Sequence, residues 1–490
     1  MHPMEDFMND ILDLQYDQII FEYNSLGPDM KTPVRLTASI AMPTAVYNKQ
    51  ASPRALVLYN QFTTAKHRER ASQEPDVEYN LLLNKLQNLI VISPDLYGWT
   101  LTEDKPQAFC CPEITGRETS DAWTAAMEIL KEKEYDYESL PIINMGYSAG
   151  GFSAMAVDKY FNANRKDVKF ALTAAGGAPF DPTTVYENYV KTNYTRFPCA
   201  LPLMVVAYKE TYNLPMEYSD IFQEPLASNV ENWILSKDYN TWEINGLIGE
   251  GVKVNQMLTP KGCDYTRVPA KTVYDKFRDN ALCGPWPTWQ PSATTQYFIF
   301  HSKGDTYMMN DVGIEMASYL DDHGCDYESD FYDWGDHVYY AGFVFLARVL
   351  LKTELTINDN HATEILQTLL SNLNQYLEIA DFSANAEDDG NNISVKRVRA
   401  AVAKASADPD HYYTTNGEPI NGTPTQPGIY IKNGKKIIVL SKSSITGEDP
   451  TDSDLIFIGD ELHDTVGDLN KDGNVSIADI MTLIDMILKK

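Results

Sequence analysis

The run Pro141-Ile-Ile-Asn-Met-Gly-Tyr-Ser-Ala-Gly-Gly151 constrains the fold of this chain more than any other. An apolar stretch of strand length enters a G-x-S-x-G turn, and a helical stretch follows over 152–160. A strand that reverses into a helix within so few residues leaves no space for a Cβ at positions 146 and 150, and glycine occupies both. Such a turn lifts Ser148 above the end of its strand. The same pattern arises by chance in Gly/Ser-rich loops, but here strand and helix flank it on the correct sides.

The surrounding chain predicts a sheet for that strand to join. Alternation over 34–42 and apolar runs at 55–59, 89–92, 140–145, 168–174 and 296–301 predict strands, with another at 327–332. Helical periodicity falls between them, at 121–131, 311–321 and 341–351. Strands alternating with helices indicate an α/β class, a doubly wound and mostly parallel sheet. From about 179 to 291 the alternation stops in a Pro-, Tyr- and Trp-rich region with helical pieces at 218–235 and 271–283. Both flanks belong to one sheet, so this reads as a helical cap insertion rather than a separate domain. The first domain is expected over 1–383, ending in a helix at 364–379, followed by a polar linker over 384–427. A small β module over 428–460 opens with two alternating runs around Asn433-Gly434, the signature of a type I′ hairpin.

Charge narrows the function. The 490 residues carry a formal net charge of −29, the opposite of what phosphate contacts require, so nucleic acid is not expected as a partner. No apolar run approaches the ~20 residues of a membrane-spanning helix. The polar, acidic start of the sequence does not read as a signal peptide; a start at a mature or engineered N-terminus is expected rather than an intracellular protein. The six cysteines, at 110, 111, 199, 263, 283 and 325, have no C-x-x-C spacing; they allow a Cys263–Cys283 disulfide or buried free thiols equally.

With these flanks the elbow resembles that of the α/β-hydrolase superfamily, over roughly 34–352. In that fold a serine nucleophile is followed along the chain by an acid and then by a histidine base. His2 and His67 precede Ser148, His411 and His463 lie beyond the linker, and His301 precedes any acid in the loop after its strand. Of the remaining His323, His337 and His361, only His337 directly follows a strand and enters a helix at the carboxyl edge of the sheet. His337 is therefore the expected base. Asp305, in the loop after the preceding strand, is the expected acid, ahead of Asp333 and Asp336. The oxyanion is expected to be held by the backbone N–H of Ala149 and by that of Gln61 or Phe62. No cofactor is expected for catalysis.

Several strings, among them Pro94-Asp-Leu-Tyr-Gly98, Gly176-Gly-Ala-Pro-Phe-Asp-Pro182 and His301-Ser-Lys-Gly-Asp305, resemble the secretory-lipase and cephalosporin-esterase-like branch. That resemblance implies cleavage of a small ester or acylated glycan. Trp286, Trp289 and Tyr297 would line its pocket or simply fill the core. A serine peptidase on the same scaffold and a catalytically silent docking protein are the alternatives.

The last thirty residues, 461–490, carry a second signature. Asp468, Asn470 and Asp472 stand at positions 1, 3 and 5 of a calcium loop, Gly473 at 6, Asn474 at 7 and Asp479 at 12. A hard cation takes oxygen ligands of this kind, so structural Ca2+ is expected. The segment resembles one type I dockerin repeat, which implies a cohesin-like or cell-surface partner; dockerins normally carry two repeats, and one is found here. Such modules, and the resemblance of residues 412–436 to β modules of exported bacterial proteins, imply an extracellular or cell-surface location.

Overall fold

The computed structural model describes residues 16–83, 88–249, 251–332, 337, 341–357, 411–414, 419–420, 428–432, 435–441 and 455–458. It divides into two units, Met1–Ala362 and Thr363–Lys490. The expected helix at 364–379 and the calcium loop lie outside the described residues.

The first unit is built on eight strands: β1 (Tyr16–Leu26), β2 (Pro33–Pro43), β3 (Ala55–Asn60), β4 (Leu89–Pro94), β5 (Ile142–Tyr147), β6 (Leu172–Gly176), β7 (Gln296–Ser302) and β8 (Tyr327–Tyr332). Their order across the sheet is β1-β2-β4-β3-β5-β6-β7-β8. From β4 to β8 every pairing is parallel, while β1–β2 and β2–β4 are antiparallel. The central strands β3, β4 and β6 are buried at every position, because helices cover both faces; this is why they read as continuous apolar runs. On one face α1 (Pro112–Glu132) packs beside α2 (Ala149–Asn164), and Trp123 and Phe161 join Leu36, Ile40 and Ile90 in one core.

Between β6 and β7 the chain inserts α3 (Pro182–Thr192), α4 (Ala200–Tyr212), α5 (Thr241–Ile248) and α6 (Ala270–Asp279), with shorter pieces between. The single helix expected at 218–235 is three: Tyr218–Ile221, Leu226–Val230 and Glu231–Leu235. Pro225 stands at the break, lacking the N–H that would continue the first turn. Tyr186, Tyr208 and Phe277 of the insertion share one apolar core with Phe152 and Met155 of α2. The insertion is thus continuous with the sheet domain and has no separate core. After β7, α7 (Asp311–Asp322) leads to β8, and α8 (Gly342–Ile357) closes the described part of the unit. All six cysteines are free thiols; the Cys263–Cys283 pairing allowed by the sequence is not made.

The second unit has a five-stranded antiparallel sheet of β9 (Tyr412–Thr414), β10 (Pro419–Ile420), β11 (Gly428–Lys432), β12 (Lys435–Ser441) and β13 (Leu455–Ile458), ordered β10-β9-β11-β12-β13. Lys432 pairs with Lys435, leaving the two-residue connection that Asn433-Gly434 predicts. β9 and β10 fall within the expected linker over 384–427 and also within the 412–436 segment that resembles a β module.

Candidate active site

The elbow is held from three sides. Ser148 takes φ 57° and ψ −124°, a backbone state costly for any residue with a side chain. Its N–H donates to the Gly176 carbonyl at 2.8 Å, and its own carbonyl accepts the N–H groups of Gly151 and Phe152. A Cβ on Gly146 would strike the Gly150 carbonyl, and one on Gly150 would strike the Asn60 carbonyl, so both glycines are steric requirements of the β5–α2 turn.

The turn presents Ser148 to the loop after β8. His337 Nε2 lies 2.8 Å from Ser148 Oγ, and His337 Nδ1 lies 2.5 Å from Asp305 Oδ2. The structure therefore brings together three side chains separated by 157 and 32 positions (148 to 305, then 305 to 337). With the carboxylate accepting from Nδ1, Nε2 is left as the acceptor for the serine hydroxyl. Such a row can draw a proton from the hydroxyl as its oxygen attacks an electrophile. Tyr147 fixes the histidine from below, its hydroxyl donating to the His337 carbonyl at 2.8 Å. Tyr307 covers the ring from another side, with ring centroids 5.5 Å apart.

Asp305 is buried, and burial alone opposes its charge. The His337 and His301 imidazoles outweigh that and hold its carboxyl well below the usual carboxylate range. Backbone N–H groups add to the cradle: Tyr307 and Met308 both donate to Asp305 Oδ1 at 2.8 Å.

Of the rival histidines, His323 ends α7 with Nδ1 2.7 Å from the Tyr319 carbonyl, and His361 lies outside the described residues, as do Asp333 and Asp336. Ala149 is the first residue of α2, so its N–H has no carbonyl one turn back within the helix and can meet an oxyanion. Gln61 and Phe62 border a cavity that also touches Ala149, but the Gln61 side chain is engaged within its own loop, donating to the Glu69 carbonyl and accepting from the Ala71 N–H. The next residue, Thr63, borders the cavity over Ser148 itself. Position in the loop could not separate these neighbours in the sequence.

The cavity over Ser148 is walled by Phe109, Pro179, Phe197, Ala200, Met204 and Met308, so the 179–291 insertion supplies most of its apolar side. Of the two roles open to Trp286, Trp289 and Tyr297, pocket lining or core filling, none of the three borders this cavity, and Tyr297 and Trp289 join the core. Trp289 stacks on Tyr319 and donates to the Leu282 carbonyl, Trp286 is exposed, and Tyr297 is buried against Asp158. Sequence reasoning missed Phe197 and Tyr307, stacked with centroids 4.9 Å apart at this cavity, and it missed the contact of His301 with Asp305. The four-residue spacing of His301 and Asp305 across a strand end was the available signal.

Among the described residues no cluster of three or more His, Cys, Asp or Glu could hold a metal ion, and no helix is long and apolar enough to cross a membrane. Asp468, Asn470, Asp472, Asn474 and Asp479 lie outside the described residues.

Neither a protein-family model nor a curated protein sequence matches this chain. Solved structures do resemble it. The rice cell wall degrading esterase LipA from Xanthomonas oryzae aligns over 72% of this chain and 93% of its own, at 18% identity and a TM-score of 0.58. A Legionella pneumophila protein aligns over 72% and 95%, at 17% identity and a TM-score of 0.61. Candida antarctica lipase A in its closed state aligns over 72% and 79%, at 12% identity and a TM-score of 0.54. At these identities the likeness establishes architecture, and the architecture of the first unit is the α/β-hydrolase fold.

Proposed function

We propose that this chain is a serine ester hydrolase working through an acyl-enzyme. The observation that carries the reading is the row Ser148 Oγ, His337, Asp305, with spacings of 2.8 and 2.5 Å, at a serine held in a strained turn. Ser148 Oγ attacks the ester carbonyl while His337 Nε2 takes its proton; Asp305 keeps the imidazole oriented and stabilises its cation. The carbonyl oxygen, now negative, meets the Ala149 N–H and a second backbone N–H from residues 61–63. Collapse of the tetrahedral intermediate expels the alkoxide, which receives the proton from His337. Water, deprotonated by the same imidazole, then releases the acid and restores Ser148.

For the substrate we propose acylated plant-type polysaccharide outside the cell. The apolar walls of the cavity suit an acyl group, and LipA, which shares the fold, is a cell wall degrading esterase. The donor set of the C-terminal loop, three side-chain oxygens at alternate positions followed by a glycine and a closing carboxylate, fits calcium. Asp468, Asn470, Asp472, Asn474 and Asp479 would hold one such ion, stabilising a module for a cohesin-like or cell-surface partner. One Ca2+ per chain by elemental analysis, lost in Asp472→Ala with esterase activity retained, is the expected result.

The test of the main reading is a panel of p-nitrophenyl esters, acetylated xylan and aminoacyl amides, run on wild type and Ser148→Ala. Ester turnover lost in Ser148→Ala supports it. Preferential amide cleavage would indicate a peptidase, and absence of any turnover a docking protein.

A further inference from the structure

Asp305 is gripped by two imidazoles. Besides His337, His301 at the end of β7 places Nε2 3.4 Å from Asp305 Oδ2, the same oxygen that meets His337 Nδ1. His301 is fully buried, and its Nε2 also lies 2.8 Å from the Met308 carbonyl. A carbonyl oxygen can only accept, so Nε2 carries the ring proton and forks it between Met308 and Asp305. The other nitrogen, Nδ1, meets no partner among the described residues. The backbone of Gly313 on α7 packs there, so closely that a Cβ would come within 2.9 Å of Nδ1. A buried ring with one nitrogen unused is aligned by what the other nitrogen does.

We propose that His301 is a positioning residue for the reaction, its Nε2–H setting how strongly Asp305 holds the His337 proton. The donor draws part of the negative charge on Oδ2 toward itself. His337 thus faces a carboxylate that steadies its cation without taking its proton, and releases that proton to the leaving group more readily. Tyr189 of α3 also faces Asp305; Tyr147 and Tyr307 flank His337, and Gly313 and Phe331 beside the His301 ring carry no charge.

The proposal rests on Ser148-dependent ester hydrolysis and is tested by the pH dependence of kcat/KM for p-nitrophenyl acetate. His301→Phe removes the donor and leaves more charge facing His337, so its imidazolium loses its proton at higher pH. The expected result is an acid limb displaced upward by about half a pH unit and a plateau lowered about tenfold. His301→Gln, which keeps an N–H at similar reach, is expected to restore the wild-type limb. An unmoved limb in folded His301→Phe, or a His301→Gln profile matching it, would overturn the proposal while leaving the hydrolase reading intact. Wild type without Ser148-dependent turnover overturns both. Should His301→Phe not fold, histidine 15N NMR of wild type decides: a proton on His301 Nε2 is expected, and one on Nδ1 would contradict the proposal.

Discussion

Strand β7 meets a buried aspartate near each of its ends, and their surroundings push the two carboxyls in opposite directions. Near its start, Tyr297 donates to Asp158 Oδ2 at 2.7 Å, with Thr173 Oγ1 3.4 Å from the other oxygen. Beyond its end, Asp305 accepts two backbone N–H groups and two imidazoles. Burial pushes the Asp158 carboxyl up to about 7, because two hydroxyls do not repay its lost hydration. Burial acts on Asp305 too, but the imidazoles reverse it. Low dielectric does not by itself neutralise a carboxylate; the number and charge of its donors decide. The one held low stands beside the histidine that the proposed reaction turns into a cation, and the other packs between α2 and the sheet.

The widest separation of the two is expected in activity. Asp305→Asn should lower kcat/KM on p-nitrophenyl acetate by about 10⁴-fold, since an amide favours the wrong imidazole tautomer, whereas Asp158→Asn should stay within about threefold of wild type. The elbow that serves Asp305's partner should break nearly as sharply. Gly150→Ala drives a methyl into the Asn60 carbonyl and is expected to lower activity at least about 100-fold and the unfolding free energy from urea titration by roughly 2–3 kcal/mol.

Stability should respond to pH in opposite directions at the two sites. The folded state holds a proton on Asp158 more tightly than the unfolded chain does, so its contribution is full below about pH 4 and lost as pH rises through about 7. Asp305 is the reverse: its contribution is present above the ordinary aspartate range and lost as pH falls below it. Urea midpoints measured at about pH 5 and about pH 8 should therefore fall in wild type and fall less in Asp158→Asn. The smallest effect is expected from Tyr297→Phe, which removes one donor from Asp158: about 1–2 kcal/mol of stability at about pH 8, with the esterase rate unchanged.

The elbow was legible because steric necessity writes itself into single residues, Gly146, Ser148 and Gly150. The order of Ser148, Asp305 and His337 was legible because the sheet fixes which loops reach its carboxyl edge. Less came through where the physics is tertiary. Strand β1 hides its alternation because Ile20, 56% exposed, interrupts a buried-exposed pattern with an apolar residue on the outer side. Helix α1 begins nine residues earlier than its periodicity suggests (112 against 121), since Thr115, Glu118 and Thr119 are polar yet buried. The helix expected through Pro225 ignored the residue that breaks it. His301 was set aside as a base by chain order, which says nothing about a residue that acts on the acid.

Covalent labelling with a fluorophosphonate, followed by peptide mass mapping, asks whether Ser148 is the nucleophile and His337 its base. One adduct per chain is expected, on Ser148, formed at a rate that drops by orders of magnitude in His337→Ala. An intact protein that hydrolyses esters while its adduct sits on another residue, or labels at the same rate without His337, would contradict those roles.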